Sequence, residues 1–250
     1  MSSCFSDGLL IRLASAHTVV AFTGAGMSAE SGVPTFRGND GIWKNFKPEE
    51  LADLNAFLRN PALVWEWYLA RKKIISEVQP NPGHYDLAEI ENRFPSFAVV
   101  TQNIDNLHRR AGSTRVHELH GNIERNYCMK CGALHSNAEI FAHAVVPKCR
   151  TCGGLVRPDV VWFGEPLPMD EWDGAVRVME SADVVLSVGT SGVVYPASEL
   201  PVRARRAGAY LVEINTDTTE LTDRMDEVVR APCSGALVEL ADNLKAGRIA

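Results

Sequence analysis

An apolar run that ends in a glycine-rich turn is the feature that most restricts how this chain can fold. Val19-Val20-Ala21-Phe22 leads through Thr23 into Gly24-Ala25-Gly26-Met27-Ser28-Ala29. Glycines let the backbone turn sharply and approach an anion, and the N–H groups at the start of a helix favour negative charge. The pattern predicts a strand, a tight turn and a helix that hold the phosphates of a dinucleotide, although similar turns also serve as plain strand connections.

Three further apolar, β-rich runs predict that this strand belongs to a parallel sheet. They are Phe97 to Thr101, Val184 to Val188 and Tyr210 to Ile214, separated by stretches with helical periodicity. This alternation predicts an α/β fold, a Rossmann-like parallel sheet with helices on both faces, whose ligands bind at the carboxyl ends of the strands. The segments expected to line that crevice are Thr23-Gly24, Gln102-Asn103, Gly189-Thr190-Ser191 and Asn215-Thr216-Asp217.

Four of the six cysteines predict a metal site. They form two Cys-x-x-Cys pairs, Cys128 with Cys131 and Cys149 with Cys152, separated by the segment 132–148. Four thiolates at about 2.3 Å complete a closed tetrahedral shell around zinc, which is typical of a structural metal. Thiols stay reduced in a protein without an export signal, so the pattern favours zinc over two disulfides or redox pairs.

Two segments depart from the sheet pattern and predict a smaller lobe on a single domain, 1–250. One is a helical insertion of approximately 41–79, rich in Trp, Leu and Lys, and the other is the cysteine-bearing zinc module of approximately 123–155. A segment too short to build its own core is often held together by a structural metal. The large lobe is then expected to comprise approximately 1–40, 80–122 and 156–250.

Composition excludes several classes of function. The 250 residues have 46% hydrophobic content, but no apolar stretch approaches the roughly 20 residues of a membrane span. The first ten residues also lack the basic and apolar regions of a secretory signal, so we expect a cytoplasmic protein that does not enter a membrane. A net charge of −6 without long Lys/Arg runs argues against nucleic acid as a main partner.

Several segments form an ordered set of motifs along nearly the whole chain. They are Gly24 to Gly38, Thr101 to His108, Glu118-Leu119-His120-Gly121-Asn122, the four cysteines, and Val161-Trp162-Phe163-Gly164-Glu165. Together they resemble a sirtuin, an NAD-dependent protein-lysine deacylase. The resemblance implies a Rossmann-like large lobe, a zinc-containing small lobe, and a cleft that NAD and an extended acyl-lysine peptide enter from opposite sides. It further implies nicotinamide, deacylated lysine and O-acyl-ADP-ribose as products.

The same resemblance implies which residues bind NAD. Gly24, Ala25 and Gly26 would hold the pyrophosphate, and Phe36 and Arg37 would lie on a loop that closes over the nicotinamide ribose. The pocket for ribose and nicotinamide would be formed by Gln102, Asn103, Ile104 and Asp105, and the adenosine half would be contacted by Gly189, Thr190, Ser191, Asn215, Thr216, Asp217 and Cys233. Glu30 and Trp43 complete the implied set. Cys233 precedes a helix predicted over 235–244.

His120 is the predicted catalytic base. In the implied reaction the acyl oxygen attacks the ribose carbon as nicotinamide leaves, and a base must then activate a ribose hydroxyl. Imidazole is the only side chain whose unperturbed pKa lies near neutral pH, and Gly121 and Asn122 leave room for a substrate. Asn103 and Asp105 are expected to stabilise the departing nicotinamide and the positive charge on the ribose, although Asp105 would also suit the N-terminus of a helix over 106–110.

Tyr68 and Arg71 are the predicted substrate-selecting residues. At positions i and i+3 of a helix they share a face, so a hydroxyl and a guanidinium can bind one carboxylate. The resemblance extends to the bacterial-type sirtuin branch that removes succinyl, malonyl or glutaryl groups and carries this Tyr-x-x-Arg pair. Thr35 also departs from the usual family Asp, as in that branch. Core packing of Tyr68 and a solvated Arg71 remain the alternative.

The peptide is expected to bind as an added strand between two segments of the chain. One is 161–165, from which Val161, Phe163 and Gly164 are the predicted contacts, and the other is Val193-Val194-Tyr195. Main-chain pairing tolerates many sequences, so broad protein specificity follows. An ordinary buried strand over 160–163 is the alternative.

Three other functions stay open from the residues. Protein ADP-ribosyl transfer or NAD glycohydrolysis would use the same pocket with another nucleophile, and an NAD sensor without turnover would need no base. A zinc-ribbon protein that binds nucleic acid would need a basic ribbon, to which Arg125, Lys130, Lys148 and Arg150 contribute charge.

Overall fold

A six-stranded parallel sheet organises the structure, a computed structural model that describes residues 3–35, 51–142 and 146–246. Its strands are β1 (Thr18–Thr23), β2 (Ser96–Thr101), β3 (Val116–Glu118), β7 (Val184–Val188), β8 (Tyr210–Ile214) and β9 (Glu227–Val229). They lie in the order β3-β2-β1-β7-β8-β9. Chain order reverses between β1 and β7, which is where ligands of doubly wound sheets bind.

The central strands form because their apolar runs are buried on both faces. All residues of β1 and β7 are buried, and so are all residues of β2 and β8 except the first of each. This is expected for a sheet covered by helices on each side. One core cluster packs against β1 through Val19 and Ala21, and another packs on the opposite face through Val20 and Phe22. The predicted α/β fold is therefore confirmed.

The helices alternate with the strands, and some of them begin at a side-chain cap, such as Ser6, Asp53 or Asn81. They are α1 (Asp7–Ser15), α2 (Gly26–Ala29), α3 (Leu54–Arg59), α4 (Pro61–Glu77), α5 (Pro82–Ile90), α6 (Leu107–Arg110), α7 (Asn137–Phe141), α8 (Met169–Glu180), α9 (Glu199–Ala207) and α10 (Cys233–Lys245). The helix predicted over 235–244 instead begins at Cys233, directly after Pro232, because proline favours the start of a helix. Among the described residues, no helix has the length and apolar character that a membrane crossing requires.

A three-stranded antiparallel sheet forms the second structural unit. Its strands, in the order β5-β4-β6, are β4 (Gly121–Cys128), β5 (Leu134–His135) and β6 (Val156–Val160). The β4–β6 register shifts between Asn122 and Asn126, which takes the intervening residues out of the ladder. A third core cluster joins this sheet to α4 through Trp65, Tyr68 and Ile75. The lobe boundaries given above stay a prediction.

Candidate functional site

A cleft of about 640 Å³ opens at the carboxyl ends of β1, β2, β7 and β8. Residues of the 160–165 segment close its other side. The cleft is lined by His120 and by many of the residues predicted to bind NAD or acyl-lysine, namely Gly24, Ala25, Gly26, Tyr68, Gln102, Asn103, Ile104, Val161, Phe163, Gly164, Gly189, Thr190, Ser191, Asn215 and Asp217. Segments far apart in sequence thus meet at the predicted edge of the sheet.

The loops after β1 and β7 touch backbone to backbone at the base of the cleft. The Gly26 amide donates to the Gly189 carbonyl at 2.8 Å, and the Gly24 amide donates to the Val188 carbonyl at 3.0 Å. A Cβ on Gly24 would lie 2.8 Å from the Thr190 Cα, and one on Gly26 would lie 2.8 Å from the Gly189 Cα. Glycine is therefore required at both positions for the loops to pack, in addition to leaving space for a ligand.

Polar side chains hold the loop after β2 against these two loops. The Gln102 side-chain amide donates to the Thr190 hydroxyl at 2.8 Å, and the Asn103 amide donates to the Gly24 carbonyl at 2.9 Å. Asp105 is buried beneath this loop, where its carboxylate accepts the Leu107 N–H at 2.9 Å at the start of α6. Burial raises the pKa of Asp105, against hydrogen bonds from Leu107 and Ser28. The helix predicted over 106–110 instead begins at Leu107, with the left-handed Asn106 in the N-cap position. Asp105 still binds the first helical N–H, from one residue further back.

Two buried histidines lie behind the same loop. The His84 and His108 rings are 4.8 Å apart, and His108 Nε2 lies 2.9 Å from the Thr23 hydroxyl. Burial lowers the pKa of His84 to about 4 and that of His108 well below its ordinary value. Both rings are therefore neutral and belong to a layer of buried polar groups under the cleft. The neighbouring residues in the sequence did not indicate this position.

His120 lies between β3 and β4 and faces the cleft. Its Nδ1 is 3.0 Å from the Gln102 carbonyl oxygen. A carbonyl only accepts, so Nδ1 carries the hydrogen and the neutral ring keeps its lone pair on Nε2. Burial lowers the pKa of His120, while the hydrogen bond to Gln102 raises it. The geometry thus provides an unprotonated imidazole nitrogen at the cleft near neutral pH.

Tyr68 is fixed in the cleft wall by a chain of aromatic and charged contacts. Its hydroxyl accepts the Trp162 indole N–H at 2.8 Å, and the Arg157 guanidinium lies 3.5 Å from the Trp162 ring centroid. Arg157 in turn contacts Glu165 through two hydrogen bonds of 2.5 and 2.8 Å. Burial raises the pKa of Tyr68 to about 12, so the hydroxyl keeps its proton. That proton can be donated to a group in the cleft.

Arg71 lies one helical turn from Tyr68 but behind the surface of the cleft. Only 6% of it is exposed, and its guanidinium carbon lies 5.0 Å from the centroid of the Trp67 ring, which itself lines the cleft. Burial lowers the pKa of Arg71, while the Tyr68 and Asp105 side chains raise it. A buried guanidinium next to a hydroxyl is the arrangement expected for binding a carboxylate, and it differs from the solvated alternative.

Some predicted residues do not line the cleft in the described structure. Glu30 accepts the Ser234 N–H at 3.0 Å at the start of α10, next to the buried Cys233, and Thr216 is exposed. Asp105 and Arg71 lie directly behind the wall, as described above. Phe36, Arg37 and Trp43 lie outside the described residues.

The two segments predicted to bind the peptide, 161–165 and 193–195, both line the cleft. Phe163 is 47% exposed and Tyr195 is 71% exposed, although both are large and apolar. β6 ends at Val160, so 161–164 is not a buried strand; its Phe163 N–H instead donates to the Ala52 carbonyl at 2.8 Å. Sequence reasoning assigned no contact to Trp67, Trp162 or the 218–220 segment, which also line the cleft. The sequence offered one signal for Trp67 and Trp162, because each lies next to a residue predicted to contact the substrate. The 218–220 segment had no such signal.

The four paired cysteines converge at the end of β4. Each pair of Sγ atoms lies within 4.8 Å, with separations of 3.4 Å for Cys131–Cys152 and 3.5 Å for Cys128–Cys152. These distances far exceed an S–S bond of about 2.05 Å and approach the roughly 3.8 Å between thiolates of a tetrahedral zinc site. The donor set fits one structural zinc ion.

The turns that present the cysteines need glycine. Gly132 and Gly153 follow the two pairs with φ of +71° and +70°, and their amides donate to the Cys128 and Cys149 carbonyls at 2.9 Å. The left-handed conformation closes each knuckle and aims two thiols at one point. Within the described parts of the chain, no other cluster of three or more His, Cys, Asp or Glu could hold a metal ion.

Proteins similar in sequence carry one activity in their names. NAD-dependent protein deacylase 2 of Pyrobaculum aerophilum is 52% identical over 233 residues, which cover 93% of each chain. The NAD-dependent protein deacylase of Aquifex aeolicus is 50% identical over 227 residues, covering 91% of this chain and 95% of that protein.

Solved structures agree over almost the full length. A Sir2 homologue in complex with NAD has a TM-score of 0.92 at 42% identity, covering 98% of this chain and 96% of that chain. A complex of Sir2, a p53 peptide and NAD+ has a TM-score of 0.85 at 34% identity, covering 98% and 99%. The Sir2 family model matches residues 24–196. The chain therefore belongs to the Sir2 family, the sirtuins.

Proposed function

We propose that this protein removes acyl groups from lysine side chains of proteins in an NAD-dependent reaction, with a preference for acidic acyl groups. The reaction consumes acyl-lysine, NAD and water, and releases lysine, nicotinamide and O-acyl-ADP-ribose. The observation that carries the proposal is His120, whose unprotonated Nε2 faces a cleft formed by the strand-end loops of a nucleotide-binding sheet. A binding protein without turnover has no need of such a base.

His120 accepts a proton from a ribose hydroxyl once the acyl oxygen has replaced nicotinamide on the adjacent ribose carbon. The Gln102 carbonyl holds Nδ1–H at 3.0 Å, which orients Nε2 and favours the protonated ring that forms. Asn103 and Asp105 stabilise the positive charge that develops on the ribose as nicotinamide departs. Asn103 lines the cleft and Asp105 is buried directly behind its wall, where an ionised carboxylate would act strongly because water is excluded.

The loops after β1, β7 and β8 hold the rest of the dinucleotide. The Gly24–Gly26 turn receives the pyrophosphate because Gly24 and Gly26 carry no side chains and Ala25 carries only a methyl group. The adenosine half contacts Gly189, Thr190, Ser191, Asn215 and Asp217, which line the cleft. Thr216 and Cys233 belong to the same predicted set but do not line the cleft. Phe36 and Arg37 are proposed to contact the nicotinamide ribose, and Glu30 and Trp43 are proposed to complete the set of NAD contacts.

The acyl-lysine enters between the 161–164 segment and Tyr195, and its acyl group points toward Tyr68. The Tyr68 hydroxyl already accepts from Trp162, so its own proton is directed to a new acceptor. A terminal carboxylate on the acyl group would accept that proton and lie near the Arg71 guanidinium. An acetyl group carries no carboxylate for these side chains to bind, so we expect it to be removed without this recognition.

The test is mass spectrometry of matched acetyl-lysine and succinyl-lysine peptides after incubation with NAD. Both peptides are expected to lose the acyl group with formation of O-acyl-ADP-ribose, and the succinyl peptide is expected to react faster. Loss of NAD with both peptides unchanged would indicate NAD glycohydrolysis, and a peptide that gains ADP-ribose would indicate ADP-ribosyl transfer. Either result would overturn the deacylase proposal.

Arg71→Met tests the acidic preference separately. Loss of a charge-assisted hydrogen bond is expected to lower kcat/KM on the succinyl peptide about ten- to hundredfold. Activity on the acetyl peptide should change far less, because acetyl carries no carboxylate. Lys73→Met, which removes an exposed charge from the same helix, is the matched control. Equal losses on both peptides in Arg71→Met would contradict the carboxylate site.

A further inference from the structure

Lys72 is a charged residue in the core of the structure. It lies on α4 next to Arg71, and only 3% of it is exposed. It shares the buried stripe of the helix with Tyr68 and Ile75, whereas the following Lys73 is exposed. A buried ammonium destabilises the folded state unless it is paired or fully hydrogen-bonded, so the contacts of Lys72 must offset this cost.

The Lys72 ammonium connects α4 to the small sheet. It donates to the Ile123 carbonyl oxygen on β4 and to the Asn137 side-chain oxygen at 2.9 Å at the start of α7. The register shift between Asn122 and Asn126 leaves the Ile123 carbonyl available for this contact. Among the residues that the structure describes, no carboxylate forms an ion pair with this ammonium, and its partners are neutral oxygens.

Ile123 also contacts the loop that carries the predicted nicotinamide pocket. Its N–H donates to the Ile104 carbonyl at 2.8 Å, and Ile104 lines the cleft. Ile123 thus accepts from Lys72 of α4 through its carbonyl, and it donates through its amide to the loop that carries the predicted nicotinamide pocket. Lys72 therefore sets the position of the helix that presents Tyr68 and Arg71 relative to the place where the acyl group must react.

We propose that Lys72 is a positioning residue that determines acyl specificity by fixing the Tyr68–Arg71 face of α4 against Ile123. This inference rests on the proposed acidic-acyl preference. A terminal carboxylate must meet two side chains one helical turn apart while the amide lies at the cofactor, so a small shift of α4 weakens its binding. An acetyl group has no carboxylate to place between the two side chains and is less sensitive to that shift.

The buried environment also affects the charge of this side chain. Burial lowers the pKa of Lys72 to about 7, against an opposing effect of Glu124. The charged groups near the site are Arg71 on the same helix and Glu124 on β4, whose carboxylate accepts from Asn106. A second positive charge behind the acyl pocket adds to the attraction of an acidic acyl group whenever Lys72 is protonated.

The experiment compares kcat/KM on matched succinyl-lysine and acetyl-lysine peptides for the wild type, Lys72→Met and Lys73→Met. Lys72→Met is expected to lower the succinyl-to-acetyl ratio about fivefold or more, mainly through KM for the succinyl peptide. Lys73→Met should keep the ratio. Thermal unfolding of Lys72→Met is expected within about 4 °C of the wild type, because removal of a buried charge offsets the lost hydrogen bonds.

A second variant keeps the inference testable if Lys72→Met does not fold. Asn137→Ala removes one oxygen partner of the ammonium from outside α4, and it should lower the ratio in the same direction. A wild type that prefers succinyl-lysine, with the ratio unchanged in the variants, would overturn this inference alone. Parallel losses on both peptides that follow the loss of stability would also overturn it. A wild type inactive on succinyl-lysine would overturn the acidic preference and this inference with it.

Discussion

At the scale of single residues, the chemistry depends on which nitrogen of His120 holds the proton. The Gln102 carbonyl selects the Nδ1–H form, and that leaves Nε2 as an acceptor at the cleft. Burial stabilises the neutral ring by lowering its pKa. The proposed base is therefore in its neutral form near neutral pH.

The pH dependence of deacylation should report this histidine. Because His120 must be neutral and burial lowers its pKa, kcat/KM is expected to fall on the acid side with a midpoint below the ordinary histidine value of 6.5. The measurement is a pH–rate profile from about pH 5 to 8 with saturating NAD.

Two variants identify the titrating group. His120→Asn should lose most activity, and its residual activity should lack the acid limb. His117→Asn changes a half-buried histidine that contacts Glu171, and it should keep the limb. A midpoint above 6.5 in the wild type would contradict the assigned effect of burial.

At the scale of elements, the cysteine knuckles depend on metal more than on packing. β5 contains only Leu134 and His135, and Leu134 is 72% exposed, so this part of the small sheet buries little apolar surface. The four thiols converge from two turns, which the hydrogen bond of 2.9 Å from the Met129 N–H to the Leu155 carbonyl also joins. Zinc is thus expected to supply much of the free energy that holds β4, β5 and β6 together.

Removal of zinc should lower stability and activity together. Cys131→Ser, or a strong chelator, is expected to lower the unfolding temperature and to abolish deacylation, because β4 begins next to His120. The measurements are zinc content, thermal unfolding and deacylation on the same preparation. Cys4→Ser, outside the cluster, is the control and should retain zinc. An active, folded Cys131→Ser protein without zinc would contradict a structural role.

Sequence predicted the elements whose signals are local. The runs Val184 to Val188 and Tyr210 to Ile214 match β7 and β8 residue for residue, because strands buried on both faces are continuous apolar runs. The cysteine spacing predicted the metal site because this signal is also local in sequence. Contacts between distant segments could not be predicted in this way: Trp162 and Tyr68 are 94 positions apart. Lys72 was missed because it lies in a basic run, which usually indicates a solvated face.

At the scale of the whole molecule, the cleft is where the two sheets and their cores meet. Its wall includes the ends of β1, β2, β7 and β8 from the large sheet and residues after β6 from the small one. A dinucleotide in this cleft would contact loops that belong to separate parts of the sequence. Its binding should therefore stabilise the folded chain as a unit.

Thermal unfolding with ADP-ribose tests this coupling without turnover. At about 100 times Kd, a ligand that binds only the folded state adds about 2.7 kcal/mol, which corresponds to roughly 5–10 °C for a chain of this size. His120→Ala should keep the shift, since the base is not needed for binding. Gly26→Ala should reduce it, because its Cβ would press on Gly189. An unchanged unfolding temperature in the wild type would contradict nucleotide binding in the cleft.

Trp162 belongs to both of the surfaces proposed to recognise the substrate. Its main chain lies in the segment proposed to pair with the target peptide, and its indole holds the Tyr68 hydroxyl. Arg157 and Glu165 brace the same indole from behind. A substitution that changes acyl preference at Tyr68 would therefore also shift the segment that pairs with the target peptide. A substitution that changes peptide binding would in turn alter acyl preference.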